Sequence, residues 1–173
     1  MEHVILVDEE DNQIGLMEKI EAHKKGLLHR AFSVFLFNDK HEILMQRRAL
    51  SKYHSGGLWT NTCCSHPREH ESIEEAGKRR LIEEMGFSCD VERVFSFIYK
   101  AKLDNELSEH EFDYVLMGKY NKRPKPNPIE VMDWKYMDMK EIEFDILENP
   151  GNYTVWFLAI FERVKNHFYK TSL

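Results

Sequence analysis

Apolar side chains fall in short bursts along this chain, and the spacing within each burst sorts it as strand or helix. Ala31–Phe37 (AFSVFLF) is rich in aromatic and branched residues, Asn38-Asp39-Lys40 supplies turn chemistry, and Glu42–Ala49 (EILMQRRA) resumes an extended pattern. These three segments predict a hairpin. Trp59–Cys64, Glu92–Leu103, Glu111–Tyr120 and Glu130–Met137 are further strand candidates. Ser72-Ile73-Glu74-Glu75 has the form of a capping box, an amphipathic stretch follows, and Gly86 stands where a helix would end, so a helix is predicted over Ile73–Met85. Tyr153–Phe168 reads as a second helix and Met139–Asn149 as a shorter third. The prolines of Asn121–Pro128 cannot continue a ladder or a helix, which makes that stretch a loop within the domain. The expectation is an α/β fold of mixed α+β character, with a mixed sheet between helices.

With 173 residues, 42% of them hydrophobic, the chain holds enough apolar material for one packed domain, expected over residues 1–173. A domain of that size buries roughly 70% of its extended-chain surface and folds without metals or disulfides, so any metal is expected to serve chemistry. The formal charge of −6 argues against a sequence-independent grip on nucleic acid or an anionic membrane, though a local cationic pocket fits it. Val155–Phe161 is the longest apolar run, far short of the ~20 residues that cross a bilayer. Glu2, Asp8, Glu9, Glu10 and Asp11 do not suit a secretory signal, and a cytoplasmic location is expected. Three cysteines, Cys63, Cys64 and Cys89, form neither a disulfide framework nor a zinc set, which leaves room for a working thiol.

The segment Asn61–Phe87 (NTCCSHPREHESIEEAGKRRLIEEMGF) is the most informative. On a helix Arg80 and Glu84 are neighbours, with Glu83 alongside and Glu71 near the entry. Carboxylates so grouped suit Mg²⁺, which commonly bridges to a phosphate, although a solvated charged face gives the same pattern. Glu71 followed by Arg79-Arg80-Leu81-Ile82-Glu83-Glu84-Met85-Gly86-Phe87 resembles the Nudix box, a loop-helix-loop that binds Mg²⁺ and diphosphates. Two positions depart from it: Ser65 replaces the leading glycine, and Arg80 replaces a catalytic, metal-binding glutamate. An arginine there removes a metal ligand and adds a cation, so Arg80 is expected to bind diphosphate and not to help cleave it. Arg47, Arg48 and Lys52, on the preceding strand and turn, are candidate donors to the same anion.

A second group consists of nitrogen and oxygen ligands: His23 and His29 before the hairpin, His66 after the cysteines, and Glu109 with Glu111. Two apart on a strand, Glu109 and Glu111 address one side while His110 faces away. His23 and His29, six apart with Gly26 between, do not share a helix face and would have to meet through a folded loop. Cys64 lies two residues before His66, beside a potential cation that would lower a thiol's pKa. Trp156 reads as helix core, yet an electron-rich ring is also a good neighbour for a carbocation.

Together Glu18-Lys19 with His23 and His29, Arg47–Lys52 (RRALSK), Trp59–Pro67 (WTNTCCSHP), the helix ending at Glu84, Glu109-His110-Glu111 and Trp156 resemble the type I isopentenyl diphosphate isomerases, a Nudix-like family, over nearly the whole chain. That resemblance implies one Zn²⁺ or Mn²⁺ held by His23, His29, His66, Glu109 and Glu111. It implies Mg²⁺ bridging Glu84 to a small-molecule isoprenoid diphosphate, with Lys19, Arg48, Lys52 and Arg80 around it. The implied reaction moves the double bond of isopentenyl diphosphate to give dimethylallyl diphosphate. Glu111, helped by Tyr99, would deliver one proton and Cys64 remove another, an allotment that can be exchanged, with Trp156 shielding the cation. No flavin or nicotinamide is expected, because the reaction is redox-neutral. Neither nucleic acid nor a membrane is an expected partner, and monomer or weak dimer both remain open. The competing readings are a Nudix hydrolase cleaving a diphosphate, against which Arg80 speaks, and a non-enzymatic metal or nucleotide binder.

Overall fold

The computed structural model describes residues 2–103 and 105–171. An N-terminal hairpin, β1 (His3–Val7) and β2 (Gln13–Glu18), leads into the short helix α1 (Lys19–Lys25), and none of the three elements was predicted. The predicted hairpin forms as β3 (His29–Phe37) and β4 (Glu42–Arg48). The predicted strand at Trp59–Cys64 is instead two short strands, β5 (Trp59–Thr60) on β4 and β6 (Cys63–Ser65) on β3. Helix α2 (Ile73–Arg80) follows with its capping box at Ser72 and Glu75, and widens into a π-turn over Leu81–Met85. Gly86 ends it at φ +75°, where a Cβ would come within 2.1 Å of the Lys125 carbonyl oxygen, so only glycine fits. Strands β7 (Val91–Lys102), β8 (Ser108–Lys119) and β9 (Val131–Asp138), then helices α3 (Met139–Glu148) and α4 (Val155–Thr171), complete the chain close to the predicted bounds.

Among the described residues, nine strands form one mixed sheet. β3 is its axis, running parallel to β8 from His29↔Glu111 to Phe37↔Lys119, while β7 pairs antiparallel with β8 and β9 with β4. Alternation along β3 and β8 separates two cores. Phe35, Phe37, Val115 and Met117 pack against Met139, Ile142, Trp156, Phe157 and Ile160 of α3 and α4. Phe32, Val34, Leu36 and Leu116 face the other way, onto Ile73 and Ala76 of α2 and onto Leu81 and Met85. The two adjacent cysteines divide accordingly: Cys63 is fully buried on the α2 side, and Cys64 packs on the α3/α4 side.

Strand register also places distant residues in one row. His29 is the register partner of Glu111 across β3 and β8, and Glu111 that of Tyr99 across β8 and β7. Residues directly opposite in a sheet share a face, so these three side chains stand side by side on the α3/α4 face, with Glu109 and Asp113 two positions to either side of Glu111. Ser33, four residues along β3 from His29, is the register partner of Cys64 and brings the thiol to the same face.

Candidate active site

Where α3 and α4 leave that face uncovered, a cavity of about 360 Å³ opens, lined among others by Lys19, Arg48, Lys52, Cys64, His66, Arg80, Tyr99, Glu109, Glu111 and Trp156. His23 closes α1, Gly26 turns the backbone at φ +60°, and His29 opens β3, which brings the two rings to a centroid separation of 4.7 Å. This is the folded connection that their six-residue spacing requires.

Four donor atoms converge here, from the buried residues His23, His29, His66 and Glu111, all within 4.8 Å of one another. His29 Nε2 lies 3.2 Å from His66 Nε2, His66 Nε2 lies 3.0 Å from Glu111 Oε1, and His29 Nε2 lies 3.6 Å from the same oxygen. Ligands bound at 2.0–2.1 Å to one octahedral ion stand about 3.0 Å apart along each edge, so this triangle has ligand dimensions. Backbone carbonyls fix the rings: His23 Nδ1 lies 2.7 Å from the Lys19 oxygen and His29 Nδ1 lies 2.8 Å from the Leu27 oxygen. Each Nδ1–H therefore donates outward and each Nε2 presents its lone pair inward, the arrangement metal-binding histidines use. His23 Nε2 is buried with no hydrogen-bond partner. Burial first, then the neighbouring His66 and His29, hold the His23 imidazole down at about 4, so the ring is neutral and able to ligate. The residues present fit a divalent transition ion, and imidazole with carboxylate suits Zn²⁺ or Mn²⁺.

Beside this group the Tyr99 hydroxyl lies 2.6 Å from a Glu109 oxygen and 2.6 Å from a Glu111 oxygen. One hydroxyl proton cannot serve both carboxylates. Burial and the adjacent Glu111 push Glu109 well above the carboxylate range; burial acts on Glu111 too, but the neighbouring His29 and His66 rings, His66 through a hydrogen bond at 3.0 Å, hold it well below. Glu109 is thus the protonated partner, and Tyr99 donates to Glu111. Asp113, also raised by burial and by Glu111, accepts from the Ser33 hydroxyl at 2.8 Å.

The other end of the cavity is cationic, and acidic side chains occupy three of its four cations. Lys19 pairs with Glu2 at 2.5 Å, Lys52 with Glu130, and Arg80 with Glu83 at 2.7 Å and with Glu84. Arg48, 6% exposed, donates to the His54 carbonyl at 3.0 Å and lies over the Trp156 ring at 5.1 Å. Glu84 sits behind Arg80, its other oxygen accepting from Gln46 at 2.7 Å. Arg47 turns away to the Gly57 carbonyl, and Glu71 forms a two-pronged pair with Arg79 at 2.7 and 2.9 Å that ties the loop after β6 to α2. Neither contributes to the cavity lining.

Cys64 lines the cavity and Cys63 does not. Burial raises the Cys64 thiol, against which Arg48 acts, so the sulfur is protonated in the metal-free protein. One residue was missed altogether: His54, buried in the turn after β4, forms a second close group with His23 and Glu109. Its only sequence signal is a histidine between the cationic Lys52 and the Gly56-Gly57 pair.

Comparison with known proteins places the chain in a family. The family model described as NUDIX domain matches residues 27–157. "Isopentenyl-diphosphate Delta-isomerase 2" of Aromatoleum aromaticum is 49% identical over 94% of this chain and 86% of its own length. "Isopentenyl-diphosphate Delta-isomerase 2" of Photorhabdus laumondii is 50% identical over 92% of this chain and 90% of its own. Among solved structures, one from Deinococcus radiodurans superposes with a TM-score of 0.71 at 18% identity, covering 86% of this chain and 90% of that one. A MutT protein from Methanosarcina mazei gives 0.66 at 17%, covering 80% and 94%. At such identities the structural likeness speaks for the fold alone.

Proposed function

The chain belongs to the isopentenyl-diphosphate Delta-isomerase family, on a Nudix domain, and from that premise we propose how its pocket interconverts isopentenyl and dimethylallyl diphosphate. The observation that carries this reading is the shared face: a half-buried thiol and the Tyr99–Glu111 pair line one cavity whose other end is cationic.

Lys19, Arg48, Lys52 and Arg80 anchor the diphosphate, which takes the place of the acidic partners now on three of them; arginine forks match phosphate oxygens. Glu84 would supply the carboxylate for Mg²⁺ accompanying the diphosphate. With the anion fixed, the isoprenoid end reaches the His/Glu cluster. An unactivated alkene is a poor base and needs a well-placed acid. Glu111, taking up the Glu109 proton relayed through the Tyr99 hydroxyl, delivers it to the terminal methylene, which leaves a tertiary carbocation. Cys64 removes a proton from the allylic carbon, so one proton enters and one leaves. Reversing the two roles runs the same chemistry from the other face. The Trp156 ring, with no hydrogen bond at its buried Nε1, offers its π-face to the cation and keeps water from it. His23, His29, His66, Glu109 and Glu111 would hold a Zn²⁺ or Mn²⁺ ion, whose charge acidifies the neighbouring carboxyl and favours thiolate at Cys64.

The test is proton NMR of the protein with isopentenyl diphosphate and Mg²⁺ in heavy water, with phosphorus NMR on the same sample. Allylic product carrying deuterium with an intact diphosphate is expected. Release of inorganic phosphate would instead make the chain a hydrolase.

A further inference from the structure

We propose that His54 is an additional ligand of the metal, closing through its Nε2 a second donor face with His23 and Glu109 opposite that of His29, His66 and Glu111. This rests on the metal reading above and adds a ligand to it.

The geometry that points there is independent of the first triangle. His54 is 4% exposed, and its Nε2 stands 3.5 Å from Glu109 Oε1. That separation is long for a hydrogen bond but close to the edge between two ligands of a small divalent ion. A ring nitrogen of His23, whose buried Nε2 has no hydrogen-bond partner, lies within 4.8 Å of donor atoms of both His54 and Glu109. His54 is also held for the task. Its Nδ1 is 3.1 Å from the Ser55 hydroxyl oxygen, its carbonyl accepts from Arg48, and its ring packs edge-on against Trp156 at 5.7 Å. With Nδ1 engaged by Ser55, Nε2 is the nitrogen left to face the cavity.

Counting both groups, which share His23, the donors are four imidazoles and two carboxylates, as many as an octahedral ion takes. His29, His66 and Glu111 belong to the sheet and to the strand end at β6, whereas His54 belongs to the turn that also carries Lys52. A fourth imidazole shifts preference toward Zn²⁺, Co²⁺ and Ni²⁺ and away from Mn²⁺ and Mg²⁺, which favour oxygen.

The experiment strips the full-length protein with a chelator and titrates Zn²⁺ and Mn²⁺ by competition, then records the visible ligand-field spectrum of the Co²⁺ form. His54→Ala is expected to weaken Zn²⁺ binding by about 10- to 100-fold, the range seen when metal sites lose a supporting partner, to change Mn²⁺ binding far less, and to shift the Co²⁺ bands. His54→Gln retains a hydrogen-bonding side chain toward Glu109 without an imidazole and should behave like the alanine variant. Wild-type Zn²⁺ affinity and an unchanged Co²⁺ spectrum in His54→Ala would overturn the assignment, as would full rescue by glutamine, which would make His54 a positioning residue. If His66→Ala loses the ion while His54→Ala keeps it, only the His54 ligand fails. If the wild-type chain takes up no Zn²⁺, the metal reading fails with it.

Discussion

Tyr99 stands directly across the β7–β8 ladder from Glu111, and its hydroxyl reaches that carboxylate and the Glu109 carboxyl at the same 2.6 Å. In the proposed mechanism this phenol between two carboxyl groups, one protonated and one not, is the proton conduit, and it needs no movement of the backbone. Tyr99→Phe keeps the ring's packing against Phe97 and removes the hydroxyl alone. Turnover should fall by about 10²-fold, the lower range for a lost acid–base partner, with metal content unchanged. The rate of deuterium entry into product measures it, and a rate within twofold of wild type would remove Tyr99 from proton delivery.

The adjacent cysteines separate function from packing. Cys64→Ala should abolish turnover while metal content and diphosphate binding stay nearly intact, because a proton-transfer group is lost without an anion contact. Cys63→Ala should cost stability of about 1 kcal/mol and little else. Alkylation with and without substrate checks the pair: Cys64 should react first and be protected, and a substrate-protected Cys63 would sink the scheme.

Arg80→Ala should raise the Michaelis constant for isopentenyl diphosphate by roughly 10- to 150-fold, since a charge-assisted contact of about 1.5–3 kcal/mol disappears. Gln46 still holds Glu84 in the variant, so the helix end keeps an anchor. Steady-state kinetics decide, and an unchanged constant would exclude Arg80 from the diphosphate site.

Elemental analysis of protein purified without added metal should find close to one transition ion per chain. Combining Glu109→Gln with His66→Ala removes one donor from each of the two triangles and should strip that ion. Unchanged content in the double variant would mean the ion lies elsewhere.

The metal-free protein should also be acid-sensitive in a defined window. The folded-state value of His23 lies at about 4, below the 6.5 of a free imidazole, so between these values the unfolded chain binds the extra proton. Stability is then fully present above pH about 6.5, declines as pH falls toward 4, and levels off below, with His23 contributing about 3 kcal/mol at most. His54, held down to about 3 by burial and by Arg48, extends the decline further. Thermal unfolding against pH should show a smaller slope in His23→Gln, and bound Zn²⁺ should steepen the acid side, because the loaded imidazoles cannot take up the protons that the unfolded chain binds. An identical slope in His23→Gln would contradict the assignment.

Much of this was legible because it depends on local pattern. The β3/β4 hairpin follows from the aromatic and branched run before Asn38-Asp39-Lys40 and the extended pattern after it, and α2 from a capping box that forms as written. The Trp59–Cys64 strand was misread because Asn61 and Thr62 are buried polar residues whose side chains replace ladder bonds: Asn61 Nδ2 donates to Cys63 and Val34 carbonyls, and the Thr62 hydroxyl to Leu44. No periodicity announces that. The N-terminal hairpin was overlooked because β2 exposes Ile14 and Leu16 and so lacks a clean buried face, and α1 because it has only seven residues. The five family-implied metal candidates carried a recognisable order in the chain. His54 did not, since its placement comes from a turn and from Arg48 holding its carbonyl.

The row His29, Glu111, Tyr99 draws one residue from each of three neighbouring strands, 82 positions apart at its extremes, and nothing but sheet pairing aligns them. Because side chains alternate faces, sliding β8 by a single residue against its neighbours would turn Glu109, Glu111 and Asp113 to the α2 side and present His110 and Phe112 in their stead. The acid, its phenol and a metal ligand therefore appear together or not at all. A half-zipped sheet has no weakened version of this chemistry, so onset of turnover during refolding marks the moment at which the central strands lock into frame.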